Sequence, residues 1–527
     1  MTEDRYDLLV DHILRFSGAA RAPGQGREPL RLTLPGWLAA WSRGEALEAA
    51  GAQAHQLPPL YVFAVQLAAM ALEREDGAQL APPETESTWR ELLLALTSDE
   101  GSAWRLCVPD LGRPAFMQPP VPEGSLRKWL GPFAGPDEID LLVTAKNHDV
   151  KRERVSAAEP DAWVWALITA QTFQGFSGRG NYGIARMNGG FGNRPILSFA
   201  PSLAWSARFL RDLEVLREAR QEIAEKHEFA ERGGRRLLWL EPWDGESSAQ
   251  VSELHPYAIE ICRRLRLVEA DDRLALHRTS TKAPAVRAGE LNGLLGDPWT
   301  PTGEGPKGYA AVTIPGGGFS YSKVHQLLFD SDPGAAMRVR EEDRLFVAFA
   351  FVRGQGVTEG MHRRVLPIPL GIRRCFASAD ERKRMCDASA EQIADANTVQ
   401  QKLLKMALLS YLQGGERDLK LKDDRPRPFL EAFDHQVDAA FFEHLWRTLQ
   451  AEDPMESRQR WQRHLLASAQ AILESAYRGA PTPEARREKA IAVSTLLFLG
   501  ARRKHFAGAL ESQNSDTKQE EERDADH

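Results

Sequence analysis

Three stretches of this 527-residue chain combine residue types that could do chemistry. The run 174–195, QGFSGRGNYGIARMNGGFGNRP, holds glycines at 175, 178, 180, 183, 189, 190 and 192, with Arg179, Arg186 and Arg194 and no acid. Glycine loses much conformational freedom on folding, so such a run is kept where backbone must turn left-handed or let a partner approach closely. Three arginines without an acid point to a polyanionic partner. Gly178-x-Gly180-x-x-Gly183 also matches, formally, the dinucleotide-binding fingerprint, which needs a strand before it and a helix after it. The preceding segment 161–174, with Trp163, Trp165, Leu167 and Ile168, reads instead as a helix, and further glycines follow. A nicotinamide site is therefore disfavoured, and a purely structural glycine-rich crossover is the plain alternative.

The second stretch, 142–152, starts apolar and ends in a polar loop that contains Lys146, Asn147, His148, Asp149, Lys151 and Arg152. Adjacent His148 and Asp149 could ligate a metal in a phosphohydrolase. The rest of the chain supplies no His-Glu-x-x-His, nucleophile elbow or Walker loop to complete a catalytic set. A loop ordered by partner binding is the favoured reading. The third stretch, 351–360, is an apolar strand running into a turn that sets Gln355 between Gly354 and Gly356. An amide on so narrow a tip can enter a groove or wedge between bases. A simple exposed hairpin turn is the competing reading.

These stretches must be positioned by a body with more than one core, because 527 residues exceed what one core usually holds. Up to about residue 385, short apolar runs such as 237–240 and 345–349 alternate with Gly and Pro, and helices are predicted over 57–73, 161–174 and 203–227. No repeat of 20 to 50 residues emerges. The fold class read from this is α+β: a large irregular mixed α/β N-terminal domain over 1–385, then a C-terminal four-helix bundle over 386–511. Its helices are predicted at 387–413, 431–451, 455–478 and 483–510, with breaks at Gly414-Gly415, Pro454 and Pro481. Leu403, Leu404, Met406, Leu408 and Leu409 are its expected core stripe. Residues 512–527 are read as a disordered acidic tail.

Composition sets the class of protein. Hydrophobic residues at 43% and charged residues at 27% are an ordinary globular mix. Met1-Thr2-Glu3-Asp4-Arg5 carries acids where a secretory signal is basic, and no apolar run spans a bilayer, so cytoplasmic residence without membrane is expected. Cys107, Cys262, Cys375 and Cys386 form no Cys-x-x-Cys pair and read as buried thiols. The net charge of −7 is unusual for a protein that grips nucleic acid. In the tail, however, six acids against Lys518 and Arg523 account for −4, leaving −3 for the body. A basic run at 361–385, with Arg363, Arg364, Arg373, Arg374 and 382–384 against two acids, is a local candidate patch or simply a solvated face.

Taken in order, these segments resemble the CasA family, the large subunit of the type I-E CRISPR Cascade complex. The resemblance covers most of the chain. It rests on Pro114-Ala115-Phe116-Met117-Gln118, similar to the family's Pro-Phe-Met-Gln element, on the Lys146-Asn147-His148-Asp149 loop, on the glycine-rich run after a helix, and on the glutamine turn. It implies a non-catalytic subunit that inspects the protospacer-adjacent motif of double-stranded target DNA from the minor groove, starts strand separation and R-loop formation, and helps recruit the helicase-nuclease. Implied DNA-binding residues are Gly175, Ser177, Gly178, Arg179, Gly180, Lys282 and the wedge Gln355. The loop 147–154, together with Lys146, looks like the segment that docks the subunit near the guide RNA's 5′ end. Implied partners are the backbone, small and guide-end-binding Cascade subunits, the guide RNA, target DNA and the helicase-nuclease. Some family members bind zinc through two Cys-x-x-Cys pairs absent here, so no metal and no cofactor is expected. The alternative from another class is a metal-dependent phosphohydrolase or nuclease using His148 and Asp149.

Overall fold

A computed structural model describes residues 4–18, 28–74, 79–97, 101–140, 159–187, 194–270, 273–305, 308–353, 357–416 and 418–509. The chain divides into two compact units, Met1–Phe319 with Ser331–Ile368, and Ser320–Asp330 with Pro369–His527.

The first unit is a mixed body of small sheets packed on helices. Leu345–Arg353 is the central strand of a three-stranded antiparallel sheet, flanked by Ile196–Ala200 and Thr358–Pro367. Its sequence LFVAFAFVR is apolar on both faces because, apart from Leu345, the whole strand is buried. A second sheet pairs Arg264–Ala270 with Arg273–Thr279 as a hairpin and adds Leu130–Phe133 on the far edge. The Leu57–Ala71 helix is almost wholly apolar and runs through the core, its buried Gln66 amide donating to the Tyr257 carbonyl at 3.3 Å and its Tyr61 hydroxyl to Asp212 at 2.6 Å. Helix Leu34–Ser42 starts where the Thr33 hydroxyl accepts the Gly36 amide at 2.9 Å, with Pro35 in its first turn. That helix delivers Trp37 to a cluster with Phe16, Trp41 and Trp165, ring centroids 5.0–6.0 Å from its own. Trp165 in turn lies on the Pro160–Thr172 helix, so the element that leads into the glycine-rich run is anchored at the centre of the core.

The second unit is helical. Ala379–Thr398 continues through 399–404 into Lys405–Leu412 as one rod, followed by Arg427–Gln450, Pro454–Gly479 and Arg487–His505. These are the four helices expected from the sequence, with small changes of length. The first begins earlier than 387 because the Ser378 hydroxyl accepts the Glu381 amide. It ends where Gly414 and Gly415 both take positive φ and their amides return to Tyr411 and Ser410. Asp453 caps the third by accepting the Met455 and Glu456 amides at 2.8 and 3.1 Å. Leu403, Leu404, Leu408 and Leu409 of the expected stripe are fully buried, together with Phe441 and Trp461. Met406, which shares that sequence stripe, is only half-buried. The segment 320–330, remote in sequence, belongs to this unit because Tyr321 stacks on Phe441 at 5.0 Å and Leu327 and Leu328 are buried. Hydrophobic periodicity within the four helices carries no sign of that addition. The acidic tail lies outside the described residues.

Candidate functional site

The glycine-rich run starts where the Pro160–Thr172 helix ends, and its base is fixed by amides and arginines. Gln171 uses its whole amide: Nε2 donates to Met117 O at 2.9 Å and Arg263 O at 3.0 Å, while Oε1 accepts from Cys262 N and Arg263 N. Gln118, from the Pro-Ala-Phe-Met-Gln element, does the same nearby, donating to Leu106 and Phe116 carbonyls and accepting from Leu267 N at 2.6 Å. Both side chains are buried, where an orphan amide would be costly; Gln171 ties its helix to residues 117 and 262–263, and Gln118 ties its turn to the strands carrying Leu106 and Leu267.

From that base a tight turn projects. Ser177 N donates to Asn181 O at 2.9 Å and Asn181 N to Gly178 O at 3.0 Å, with Gly178 at φ +96° and Gly180 at φ +80°. A Cβ on Gly183 would lie 2.6 Å from Phe176 N, and one on Gly180 2.9 Å from Ser280 Cβ. At Gly178, by contrast, nothing lies within 4 Å of that position. Two arginines hold the turn from below. Arg263 donates to Gly175 O at 2.9 Å and also to Tyr182 O, and Arg353 donates to Ser177 Oγ at 3.0 Å. Gly180 O accepts from Thr281 N at 2.9 Å, which joins the turn to the segment carrying Lys282. The Tyr182 hydroxyl donates to Lys282 O at 2.9 Å.

The structure thus brings Gly175, Ser177, Gly178, Arg179, Gly180 and Lys282 to one region, although more than 100 residues separate the two segments. Arg179 is exposed. The Lys282 ammonium, largely exposed, pairs with Glu246 Oε1 at 2.6 Å, which raises its pKa. Gln355 and the loop residues Lys146, Asn147, His148, Asp149, Lys151 and Arg152 lie outside the described residues.

One sequence expectation needs correction. Arg186 and Arg194 do not face a partner: both are buried, Arg194 in a bidentate pair with Asp297 and Arg186 on the carbonyls of Pro256 and Ala258. A purely spacing-based reading cannot tell a buried arginine from an exposed one, and here the acids that neutralise them come from distant segments. The residues of the basic run 361–385 belong to both units, Arg363 and Arg364 to the first and Arg373, Arg374 and 382–384 to the second.

Sequence reasoning missed Arg263, Arg278 and Arg353. All three line a cavity of about 300 Å³ beside the turn, which also receives Ser177, Asn181 and Thr279. Arg353 ends the strand Leu345–Arg353, two residues before Gln355, and a lone arginine beside apolar neighbours is the sequence signal for it. A larger cavity, about 880 Å³, is lined by charges of both signs, including Glu73, Glu225, Arg220 and Arg232, and has no part in the turn.

Among the described residues, one His/Cys/Asp group has ligand atoms within 4.8 Å of one another: His325, Asp330 and Cys386. Its polar atoms are satisfied internally, His325 Nε2 lying 3.1 Å from Asp330 and the Cys386 thiol donating to the same carboxylate at 3.3 Å. Burial, then Asp330, pushes that thiol up to about 11, against the thiolate a metal needs. Cys107 and Cys262 are buried thiols as expected, whereas Cys375 and Cys386 are partly exposed. Among the described residues no helix is long and apolar enough to cross a membrane.

A mixed α/β unit that presents a braced glycine turn, followed by a helical bundle, defines the class of protein. Solved structures share the overall fold over nearly their whole length. CRISPR-associated protein Cse1 from Acidimicrobium ferrooxidans superimposes with a TM-score of 0.62 at 13% identity, covering 96% of this chain and 99% of that one. Thermobifida fusca Cse1 gives 0.62 at 13% identity over 94% and 98% of the two chains. Thermus thermophilus CasA (Cse1) gives 0.57 at 13% identity over 95% and 99%. The chain therefore has the CasA/Cse1 fold. No protein-family model and no curated protein sequence matches it.

Proposed function

We propose that this chain is the large, target-recognition subunit of a type I-E CRISPR Cascade complex, reading the protospacer-adjacent motif of duplex DNA through its glycine turn. The observation that carries this reading is the Arg353–Ser177 hydrogen bond of 3.0 Å. It ties the strand that leads into Gln355 to the turn at Gly178, joining two motifs 176 residues apart in sequence. A reader that inspects a motif and then separates strands needs its sensor and its wedge mechanically connected.

The chemistry of each part follows. Gly178 offers backbone without a side chain and with open space in front, which suits approach to base edges in the narrow minor groove. The minor groove distinguishes A·T from G·C but little more, so motif choice is tolerant rather than strict. Arg179 and Lys282 supply phosphate contacts, with Lys282 exchanging Glu246 for DNA. Gln355 enters the base stack, where unstacking one step costs a few kcal/mol that phosphate contacts and guide pairing must offset. The loop 146–154 docks the subunit near the guide RNA's 5′ end. The bundle meets neighbouring subunits or DNA, and the assembled complex recruits the helicase-nuclease. None of these steps requires a catalytic group on this chain.

The test is reconstitution with the other Cascade subunits and guide RNA, followed by selection from a target library randomised at the adjacent motif. Gln355→Ala is expected to lower R-loop yield at least tenfold on a permissive target while leaving assembly intact. Unchanged R-loop yield removes the wedge. The phosphohydrolase alternative receives no support from the CasA/Cse1 fold, and DNA cleavage with Mg²⁺ or Mn²⁺ that is lost in His148→Ala would reinstate it.

A further inference from the structure

The cavity beside the glycine turn gathers three arginines. Among the described residues, Arg263, Arg278 and Arg353 line it and no carboxylate does. Arg353 is only 8% exposed, yet its Nε and Nη1 have no hydrogen-bond partner among the described residues, and Nη2 alone is used, by Ser177. A buried guanidinium left with open donors is costly unless something supplies acceptors. Its neighbours are held in place by the protein: Arg278 lies over the Phe133 ring at 4.8 Å, and Arg263 is fixed by the carbonyls of Gly175, Tyr182 and Cys262. The charge of Glu138, whose carboxylate also accepts the Ala134 and Gly135 amides at 2.7 and 3.3 Å, partly offsets that of Arg278. Burial, followed by the charge of Arg263, lowers the pKa of both Arg278 and Arg353, and Glu138 offsets this only in part at Arg278.

We infer that this cavity is a phosphate site that takes one backbone phosphodiester of the DNA passing the glycine turn. The ligand chemistry follows from the donors. Guanidinium groups bind phosphate oxygens through charge-assisted, often paired hydrogen bonds. Ser177, Asn181 and Thr279 add hydroxyl and amide donors on the same wall. A volume of about 300 Å³ admits one phosphate with its flanking sugar atoms. Phosphate contacts position a protein on its duplex without reading sequence. The site therefore sets the depth of the turn in the groove, and occupancy by phosphate satisfies the same Arg353 that braces Ser177. The assignment to DNA rests on the proposed function, whereas the affinity for phosphate does not.

The experiment uses the isolated full-length chain. Inorganic phosphate titrated at constant ionic strength against potassium chloride is expected to raise the melting temperature of the native protein by a few degrees. Arg278→Gln and Arg353→Gln should each lose that rise, and Arg353→Lys should keep part of it. An equal rise in native protein and Arg278→Gln overturns the site. With a short duplex carrying a permissive motif, the slope of log K against log salt should fall by about 0.9 in Arg278→Gln, the value for one phosphate. An unchanged slope overturns the DNA assignment, as does a fall seen with a guide-RNA hairpin but not with the duplex. Gly178→Asp separates the two claims. If it abolishes duplex binding while Arg278→Gln leaves the slope intact, the phosphate inference fails and the glycine-turn reading stands. If it binds as the native protein does while Arg278→Gln lowers the slope, the reverse holds.

Discussion

Gly178 and Gly183 lie five residues apart in one loop and are glycine for opposite reasons. At Gly183 a methyl group would press into backbone at 2.6 Å, so the fold itself forbids a side chain. At Gly178 the same methyl would meet nothing, and only the positive φ of 96° argues against it. The loop thus has a packed base and an open tip. The base is built for stability, with Arg194 on Asp297, Arg263 on two loop carbonyls and Gln171 fully bonded. The tip, Ser177 to Arg179, is braced but uncovered. The positive φ accounts for the glycine at the tip, and the open space in front of it leaves room for a partner.

Variants that separate base from tip sharpen this contrast. Arg194→Ala strands a buried Asp297 carboxylate and should cost about 3–5 kcal/mol, read as a large drop in melting temperature. The same pair sets an acid limit. Burial pushes the Asp297 carboxyl up, but Arg194 holds it below its ordinary 3.8, so its contribution is complete above that pH and is lost as pH falls through the lower folded value. Acid unfolding of Arg194→Ala should lose this component. Gly183→Ala should cost about 1–3 kcal/mol through overpacking of the base, with any loss of DNA binding following the loss of fold. Gly178→Ala should cost about 1–2 kcal/mol from the left-handed backbone alone, yet lower DNA binding more than its stability explains. Wild-type DNA binding by Gly178→Ala with an intact melting curve would erase the contrast. Lys282→Ala is expected to leave the melting temperature unchanged, since its pair with Glu246 is exposed, and to reduce the salt dependence of DNA binding by about one contact.

What the sequence disclosed follows from the range of the forces involved. The four helices of the second unit were legible because their periodicity, the Gly414-Gly415 stop and the Pro454 start are local signals. The turn at Gly178 was legible because glycine density is itself local. The attachment of 320–330 to the helical unit was not, since Tyr321 finds Phe441 across 120 residues of chain. Nor was the fate of the arginines. Arg186 and Arg194 look like Arg179 in sequence, and only the arrival of Glu260 and Asp297 from other segments converts them into core residues. Arg263 and Arg353 were hidden in strand-like surroundings, and their service to the turn is a property of the fold alone.

The central claim is that the open tip at Gly178 faces the target duplex. It is tested most directly by assembling Gly178→Asp with the other Cascade subunits and guide RNA and measuring binding of a permissive duplex by gel shift. Full assembly with target affinity reduced by a hundredfold or more is the predicted result. Native affinity in the assembled variant would contradict it.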